Sequence, residues 1–309
     1  MKYLSSLLLI LISVIVVNAQ QDPQFAHNMY NNAYTNPAYA GTDGGICAHV
    51  INRQQWVGFE GAPNTTVASV TGAFNIFNIP SGVGISILDD RIGNLQNFQI
   101  KLSYAYRKRV GAGTLSFGME AGLLNKNLDG QWDPPESPDD PQIPQDVKSK
   151  MVPDLGVGFF YNLTNQFYLG ASVSHVHQPK IEYTDAAASL LRRHYYATAG
   201  YNHRLFNSPI ELKPSVFVKF DGTQLQYSIN MTALYNKKFW LGVSYRDKDA
   251  ISPMAGVQLL NGLRVGYSYE LSLSKMITAS GGSHEVFIGY CFDFWRPNRK
   301  YKYRSIRYL

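Results

Sequence analysis

The sequence contains few charged residues, only two cysteines and, after its first twenty positions, no long apolar run. Charged residues make up 16% of the 309 positions. No later stretch approaches the roughly 18 consecutive apolar residues of a membrane-spanning helix, which argues against a helical inner-membrane protein. The sequence also lacks a phosphate-binding loop, an HExxH motif and a nucleophile elbow. No motif therefore predicts an enzyme or a cofactor.

The first nineteen residues have the features of a secretory signal peptide. Lys2 precedes an apolar run at 7–17 that only Ser13 interrupts, and Val17 and Ala19 provide the small-x-small pattern of a cleavage site. An anchoring helix is the alternative, but the run is shorter than the roughly 20 residues that a membrane span needs. We therefore expect residues 1–19 to be removed and the protein to leave the cytoplasm.

Glycine and tyrosine are abundant, with 26 and 21 copies, a composition typical of many short strands and turns. The last candidate strand shows the pattern best. Its two faces alternate, with Val286, Ile288, Tyr290 and Phe292 on one side and Glu285, Gly289, Cys291 and Asp293 on the other. Phe287 is an apolar exception on the second face. This alternation predicts a strand with different surroundings on its two sides.

The same alternation recurs along the chain and predicts about fourteen strands. They fall near 46–58, 64–77, 82–90, 96–108, 112–126, 153–163, 167–177, 192–205, 209–221, 224–235, 238–247, 250–260, 262–274 and 284–294. Every second connection is short, whereas the other set contains long ones such as 127–152 and 178–191. Short turns on one side and long loops on the other are typical of outer-membrane barrels, with the short turns in the periplasm. The pattern predicts a transmembrane antiparallel β-barrel at 46–294 with both termini periplasmic.

Two segments flank the predicted barrel. Residues 20–45 have no clean period and are rich in asparagine, and we expect them to lie in the periplasm or to fold into the lumen. Residues 295–309 form a basic tail without an acidic residue. A solvated tail and a handle for an acidic partner are both consistent with it. The tail residues proposed for partner contact are Arg296, Arg299, Lys300, Lys302 and Arg304.

Inward positions of the predicted strands carry many glycines and charges of both signs. An ion-selective pore would favour one sign, so the mixture favours a lumen with mutually paired charges and a plug. Glycines within strands also allow another backbone to approach closely.

Cys47 and Cys291 lie in the first and last predicted strands, which become neighbours when a barrel closes. A disulfide between them is one possibility in an exported protein. A Cys47 that points out and a Cys291 that points in would prevent it. The alternative is two small buried residues.

His175 and His177 have the spacing of two metal ligands on one strand face. The sequence offers no third ligand in a readable relation to them, so we predict no metal site.

Several segments resemble the PorP/SprF family of type IX secretion system membrane proteins. They are QDPQF at 21–25, NPAYAG at 36–41, RQQWVGFEGAP at 53–63 and SHEVFIGYCF at 283–292, with YRDKDA at 245–250 and RVGYSY at 264–269 as further family-like positions. The resemblance covers essentially the whole mature chain in order. The basic tail departs from the usual family ending near the last strand.

The resemblance implies a non-enzymatic outer-membrane barrel that supports export or surface anchoring of a particular secreted protein, including gliding adhesins. The implied partners are a secreted substrate or an adhesin C-terminal domain, periplasmic components of the secretion system and outer-membrane lipid, but not nucleic acid. On this interpretation Trp56, Phe59 and Pro63 at the outer rim are candidates for substrate contact. For Trp56 the alternative is a place in the aromatic belt of the lipid interface.

Two other functions remain open from the sequence: a passive porin or small-molecule channel, and a soluble exported β protein whose apolar faces turn inward.

Alkaline carbonate separates the soluble alternative from the other two. We expect the protein to stay in the membrane pellet after carbonate treatment and to need detergent for extraction, because its apolar strand faces would contact lipid. Fractionation followed by immunoblotting measures this. Release by carbonate alone would favour the soluble protein.

Overall fold

The computed structural model describes residues 22–128, 147–163, 166–182, 188–259, 262–274, 278 and 280–292. Within these ranges the chain forms a closed antiparallel barrel of fourteen long strands. The strands are β1 (Ile46–Gln54), β2 (Asn64–Ile76), β3 (Ile79–Ile92), β4 (Leu95–Val110), β5 (Gly113–Leu128), β6 (Val152–Leu163), β7 (Phe167–Ser174), β8 (His194–Tyr201), β9 (Ile210–Phe220), β10 (Leu225–Tyr235), β11 (Phe239–Arg246), β12 (Ala250–Gln258), β13 (Leu263–Ser272) and β14 (Ser283–Phe292).

Each long strand pairs with the next one in sequence, and β14 returns to pair with β1. The seam between them runs without a break from the pair Ile46 and Phe292 to the pair Gln54 and His284. Closure pairs the backbone groups of β1 with those of β14. This pairing is needed in the hydrocarbon core of a membrane because lipid supplies no hydrogen-bond partners. The predicted fold, including the number of strands, is confirmed.

A few short elements accompany the barrel. Val147–Lys148 pairs with β5, Lys180–Glu182 pairs with Ala188–Leu190, and His203–Arg204 pairs with β9. The helical turns are an α-helix and two 3₁₀-helices before β1, at Asn32–Thr35, Asn28–Tyr30 and Pro37–Tyr39. None of the helices within the described ranges is long and apolar enough to cross a membrane.

The two rims of the barrel differ in their connections. We call the rim that holds Ile46 and Phe292 the turn end, and the opposite rim the loop end. At the turn end β2 and β3 are joined through Phe77 and Asn78, which both have positive φ, as two-residue hairpin turns require. At the loop end, residues 175–193 join β7 to β8 and residues 273–282 join β13 to β14. The predicted alternation of short and long connections is therefore present.

Side-chain direction follows the alternation that the sequence predicted. On β4 and β5 the apolar side chains of Leu102 and Met119 are 62% and 63% exposed on the outer surface, whereas Lys101 and Glu120 are buried inside. An apolar outside and a polar inside are typical of a barrel that faces lipid. A soluble sandwich would have the opposite arrangement.

A disulfide joins the two strands of the seam. Cys47 and Cys291 lie directly opposite each other in the register of β1 and β14, and their sulfur atoms are 2.08 Å apart. Cys47 is fully buried. The bond joins residues 244 positions apart in the sequence. It therefore links the first and last strands of the barrel covalently.

The disulfide should stabilise the folded barrel. Bridging such a long loop restricts the unfolded chain, and the stabilisation expected from natural disulfides is about 2–5 kcal/mol. We expect Cys47→Ser to lower the temperature at which the detergent-purified barrel unfolds, measured by heat-dependent migration on gels. Reduced wild-type protein should unfold at the temperature of the variant. Maleimide labelling of denatured, unreduced wild-type protein would contradict the bond.

Candidate functional site

The N-terminal segment, residues 22–45, occupies the lumen from the loop end to the turn end. Near the loop end the backbone carbonyl of Asp22 accepts a hydrogen bond from Lys219, close to the end of β9. Near the turn end Gly41 packs against Gly72 on β2 and Gly82 on β3. The chain then enters β1 at Ile46. Residues 22–45 therefore lie inside the barrel wall.

Glu285 on β14 holds the loop-end part of this segment. Its carboxylate accepts hydrogen bonds from the backbone N–H groups of Ala26 and His27, both at 2.8 Å, and lies 2.6 Å from Nδ1 of His27. Glu285 is only 3% exposed. A buried carboxylate needs such donors because it has lost its water, so the segment and the wall stabilise each other.

Aromatic rings connect the middle of the segment to the wall. Phe287 stacks on Tyr30, with ring centroids 4.5 Å apart and planes 12° from parallel, and on His27 at 5.8 Å. Trp240 meets His27 edge to face at 5.7 Å. These contacts explain why an apolar side chain stands on the inward face of the last strand: Phe287 packs against the N-terminal segment.

Polar side chains of the segment bond to several separate strands. Asn230 on β10 donates to Asn28 at 2.9 Å, and Tyr34 donates to Gln99 on β4 at 3.1 Å. Ser172 on β7 donates to a backbone carbonyl of the segment at 2.6 Å. The asparagine side chains of the segment can each donate and accept hydrogen bonds, and the polar groups of the wall include both donors and acceptors.

The turn-end part of the segment rests on glycines of the wall. A Cβ atom at Gly82 would overlap the backbone carbonyl of Ala40, and one at Gly118 would overlap the backbone at Pro37 and Ala38. The side chain of Asn36 donates to backbone carbonyls of β6 and β7 at 3.0 and 3.3 Å. The NPAYAG motif at 36–41 and the inward glycines form one close backbone contact that larger residues would prevent.

Several charges of the lumen are paired, as the sequence predicted. Lys101 lies 3.1 Å from Glu120, and Glu270 lies between Arg53 at 2.6 Å and Arg246 at 3.2 Å. All five side chains are at most 5% exposed. The paired charges stabilise a filled interior.

At the loop end Asp22 lies beside two histidines of the wall. Its carboxylate is 3.4 Å from Nε2 of His175 and 3.7 Å from Nδ1 of His194, and it accepts a hydrogen bond of 2.5 Å from the hydroxyl of Tyr196. Asp154 lies 2.9 Å from the other ring nitrogen of His175. A carboxylate of the N-terminal segment and two imidazoles at neighbouring strand ends thus meet in one place.

The ionisable groups of this cluster shift one another's pKa values. Burial raises the pKa of the Asp22 carboxyl, but His194 and His175 outweigh burial and hold that pKa well below its usual range. Burial lowers the pKa of His175, but Asp22 and Asp154 outweigh it and raise the pKa to about 9. The cluster therefore holds a cationic group between two carboxylates at neutral pH.

A cavity of about 480 Å³ lies at the turn end, between the N-terminal segment and a wall formed by β6 to β10 and β13. Its lining includes Tyr30 and Asp43 of the segment and Tyr168, Lys213 and Arg264 of the wall. Polar and aromatic groups of both the segment and the barrel are thus available to a molecule that enters from this rim.

The candidate contact residues fall in two places. Trp56, Phe59 and Pro63 lie in the connection between β1 and β2 at the loop end, and Phe59 is 49% exposed. The backbone N–H of Trp56 donates to Ser283 at 3.2 Å, which ties this loop to the start of β14. The signal peptide at 1–19 and the tail candidates lie outside the described residues; the latter are Arg296, Arg299, Lys300, Lys302 and Arg304.

The histidine cluster was missed by the sequence analysis. β7 ends at Ser174, His175 adopts a positive φ of 56°, and His177 is exposed, so the two histidines do not share a strand face. The usable signal was the predicted hairpin, which places His175 and His194 at neighbouring strand ends. No spacing could reveal Asp22, which is 153 positions from His175.

The family comparison decides which kind of barrel this is. A family model described as type IX secretion system membrane protein PorP/SprF matches residues 17–290. The chain belongs to the PorP/SprF family. The resemblance drawn from its motifs is confirmed, and its family and fold are those of an outer-membrane barrel of a secretion system. Within the family-matched region, NPAYAG at 36–41 is the part of the N-terminal segment that docks on the wall glycines.

Solved structures similar to this PorP/SprF protein are also barrels. CymD, described as a monoaromatic hydrocarbon channel, is 12% identical, with 85% of this chain and 92% of that chain covered and a TM-score of 0.49. TbuX, the toluene transporter of Ralstonia pickettii, is 12% identical with coverages of 85% and 93% and a TM-score of 0.46. Omp33 of Acinetobacter baumannii is 10% identical with coverages of 80% and 99% and a TM-score of 0.45. None of the curated proteins matches the chain.

Two glycines of β3 test the docking of the N-terminal segment. In Gly82→Ala the new methyl group would overlap the carbonyl of Ala40, so the segment must shift. Overpacking of this kind costs about 1–3 kcal/mol, which corresponds to an increase in the undocked fraction of about 5-fold to 150-fold. We expect chymotrypsin to cleave the variant faster at Tyr34 and Tyr39, measured by mass spectrometry.

Gly84→Ala is the matched control on the same face of the same strand. Its methyl group would first meet side-chain atoms of Ser103 and Thr71, which belong to the wall and can rotate. Cleavage of this variant should match the wild type. Equal cleavage of both variants would show that the wall glycines do not hold the segment.

Proposed function

We propose that this PorP/SprF protein supports export or surface anchoring of a specific secreted protein, such as a gliding adhesin, by binding rather than by catalysis. The observation that carries the proposal is the filled lumen. Residues 22–45 occupy the interior and are anchored by Glu285, Asn230 and the glycines of the wall. A barrel of this kind presents contact surfaces at its two rims, which suits a secretion partner better than a passive porin.

The rims would have separate tasks. The short connections favour a periplasmic turn end, and both β1 and β14 reach that end. The N-terminal segment and the basic tail would then face the periplasmic machinery, while the β1–β2 loop would face the substrate. Phe59 is a suitable anchor there because it is exposed and because hydrogen bonds from Trp56 to the start of β14 and from Val57 to the β13–β14 loop hold its loop in place.

A deletion strain tests the function directly. We expect loss of this protein to remove one or a few large proteins from the cell surface or culture fluid, while general outer-membrane composition stays unchanged. Quantitative proteomics of both fractions measures this, with a complemented strain as control. An unchanged secreted proteome together with altered uptake of small solutes would favour the porin instead.

The basic tail allows a finer test. We expect replacement of five of its six basic residues by glutamine to leave the amount of barrel in the outer membrane unchanged and to reduce substrate secretion several-fold, because a cationic handle would lose most of its charge. The positions changed are Arg296, Arg299, Lys300, Lys302 and Arg304.

The control exchanges lysine and arginine at the same five positions and keeps the charge. Secretion should remain normal in that control strain. Normal secretion in the glutamine strain would show that the tail serves only solubility.

A further inference from the structure

The cluster at the loop end combines three groups that bind transition metals. Asp22 comes from the N-terminal segment, His175 follows β7 and His194 begins β8. One ligand atom from each residue lies within 4.8 Å of the other two. Two neighbouring ligands of a tetrahedral zinc ion, each at about 2.0–2.1 Å from the metal, are roughly 3.3 Å apart. The distances of 3.4 and 3.7 Å from Asp22 to the two rings are close to that spacing.

A second layer of groups lies behind the ring of His175. Its Nδ1 lies 2.9 Å from Asp154, which accepts a hydrogen bond of 2.9 Å from Gln99, and Gln99 in turn accepts one from Tyr34. A carboxylate close to one ring nitrogen favours a proton there, so a metal that binds the other nitrogen displaces only the proton of that nitrogen. That other nitrogen, Nε2, faces Asp22.

His194 provides an independent observation. The residue is 2% exposed, and its Nε2 is buried without a hydrogen-bond partner among the described residues. Its Nδ1 lies 3.1 Å from the carbonyl of Arg192 and 3.7 Å from Asp22. A buried imidazole nitrogen without a partner costs free energy unless it binds another group. Nδ1 is the ring nitrogen that now faces Asp22, so a metal ion in this cluster would become the partner of Nε2 after a half-turn of the ring.

We propose that Asp22, His175 and His194 bind one divalent transition-metal ion, with zinc as the expected species. Two imidazoles and one carboxylate form a ligand set that zinc uses, and they leave a fourth position for water or another ligand. The ion would tie the start of the N-terminal segment to the strands β7 and β8. The binding is independent of the proposed secretion role.

Metal analysis of the purified protein tests the site. The full mature chain, without a polyhistidine tag, is stripped with a chelator in detergent and dialysed against zinc chloride, and bound zinc is measured by mass spectrometry. We expect about one zinc per wild-type chain. Asp22→Asn and His194→Asn should each lower the affinity at least tenfold, since each removes one of three ligands.

His177→Asn is the matched control, because His177 is exposed two positions from His175 and lies outside the cluster. It should bind zinc like the wild type. Heat-dependent gel migration establishes that every variant still forms the barrel, and Asp22→Asn changes only the N-terminal segment.

Chymotrypsin provides a second measurement. Zinc should slow cleavage of the wild-type N-terminal segment and should not slow cleavage of Asp22→Asn. Equal zinc content in the wild type and the two ligand variants would overturn the proposal, as would a wild-type chain that binds no zinc. In the latter case the cluster is an ion pair between Asp22 and a protonated His175.

Discussion

Closure of the sheet is the constraint on which the rest of this structure depends. In hydrocarbon every backbone N–H and C=O must find a partner within the protein, so β1 and β14 must meet in register along their whole length. The seam from Ile46 to Gln54 meets this requirement, and the Cys47–Cys291 disulfide reinforces it. Closure also creates an interior that water and polar side chains must fill, and this determines what the N-terminal segment does.

The segment and the wall are complementary in three different ways along the axis. At the loop end the complementarity is ionic, through Glu285 and the cluster around Asp22. In the middle it is aromatic, through Phe287 and Tyr30. At the turn end it is steric, because Gly82 and the other inward glycines admit a second backbone. Several separate anchors favour one position of the segment over alternatives that would satisfy only part of them.

A filled barrel suits a role in which the protein is recognised rather than crossed. The loop end presents the β1–β2 connection, which hydrogen bonds from Trp56 and Val57 tie to the start of β14 and to the β13–β14 loop. The turn end presents the cavity beside Tyr30 and Lys213. A metal ion held by Asp22 and two histidines would connect the segment to the wall near the first of these surfaces. The N-terminal segment would then connect the surfaces at the two rims through the interior of the barrel.

The sequence by itself determined the barrel. Strict alternation on strands such as β4, the even number of strands and the alternating connection lengths are local properties, so each can be read without knowing what packs against what. The same local reading identified the inward glycines and the mixed inward charges. It also marked Phe287 as an exception, although it did not reveal the reason.

Only the tertiary structure decided what fills the lumen. The contacts of Phe287 with Tyr30, of Gly82 with Ala40 and of Asp22 with His175 join residues far apart in the chain. The N-terminal segment has no periodicity because it meets a different part of the wall at each step, so its sequence carries no repeating signal. Its position follows from the shape and polarity of the closed interior, which exist only once β1 and β14 have paired.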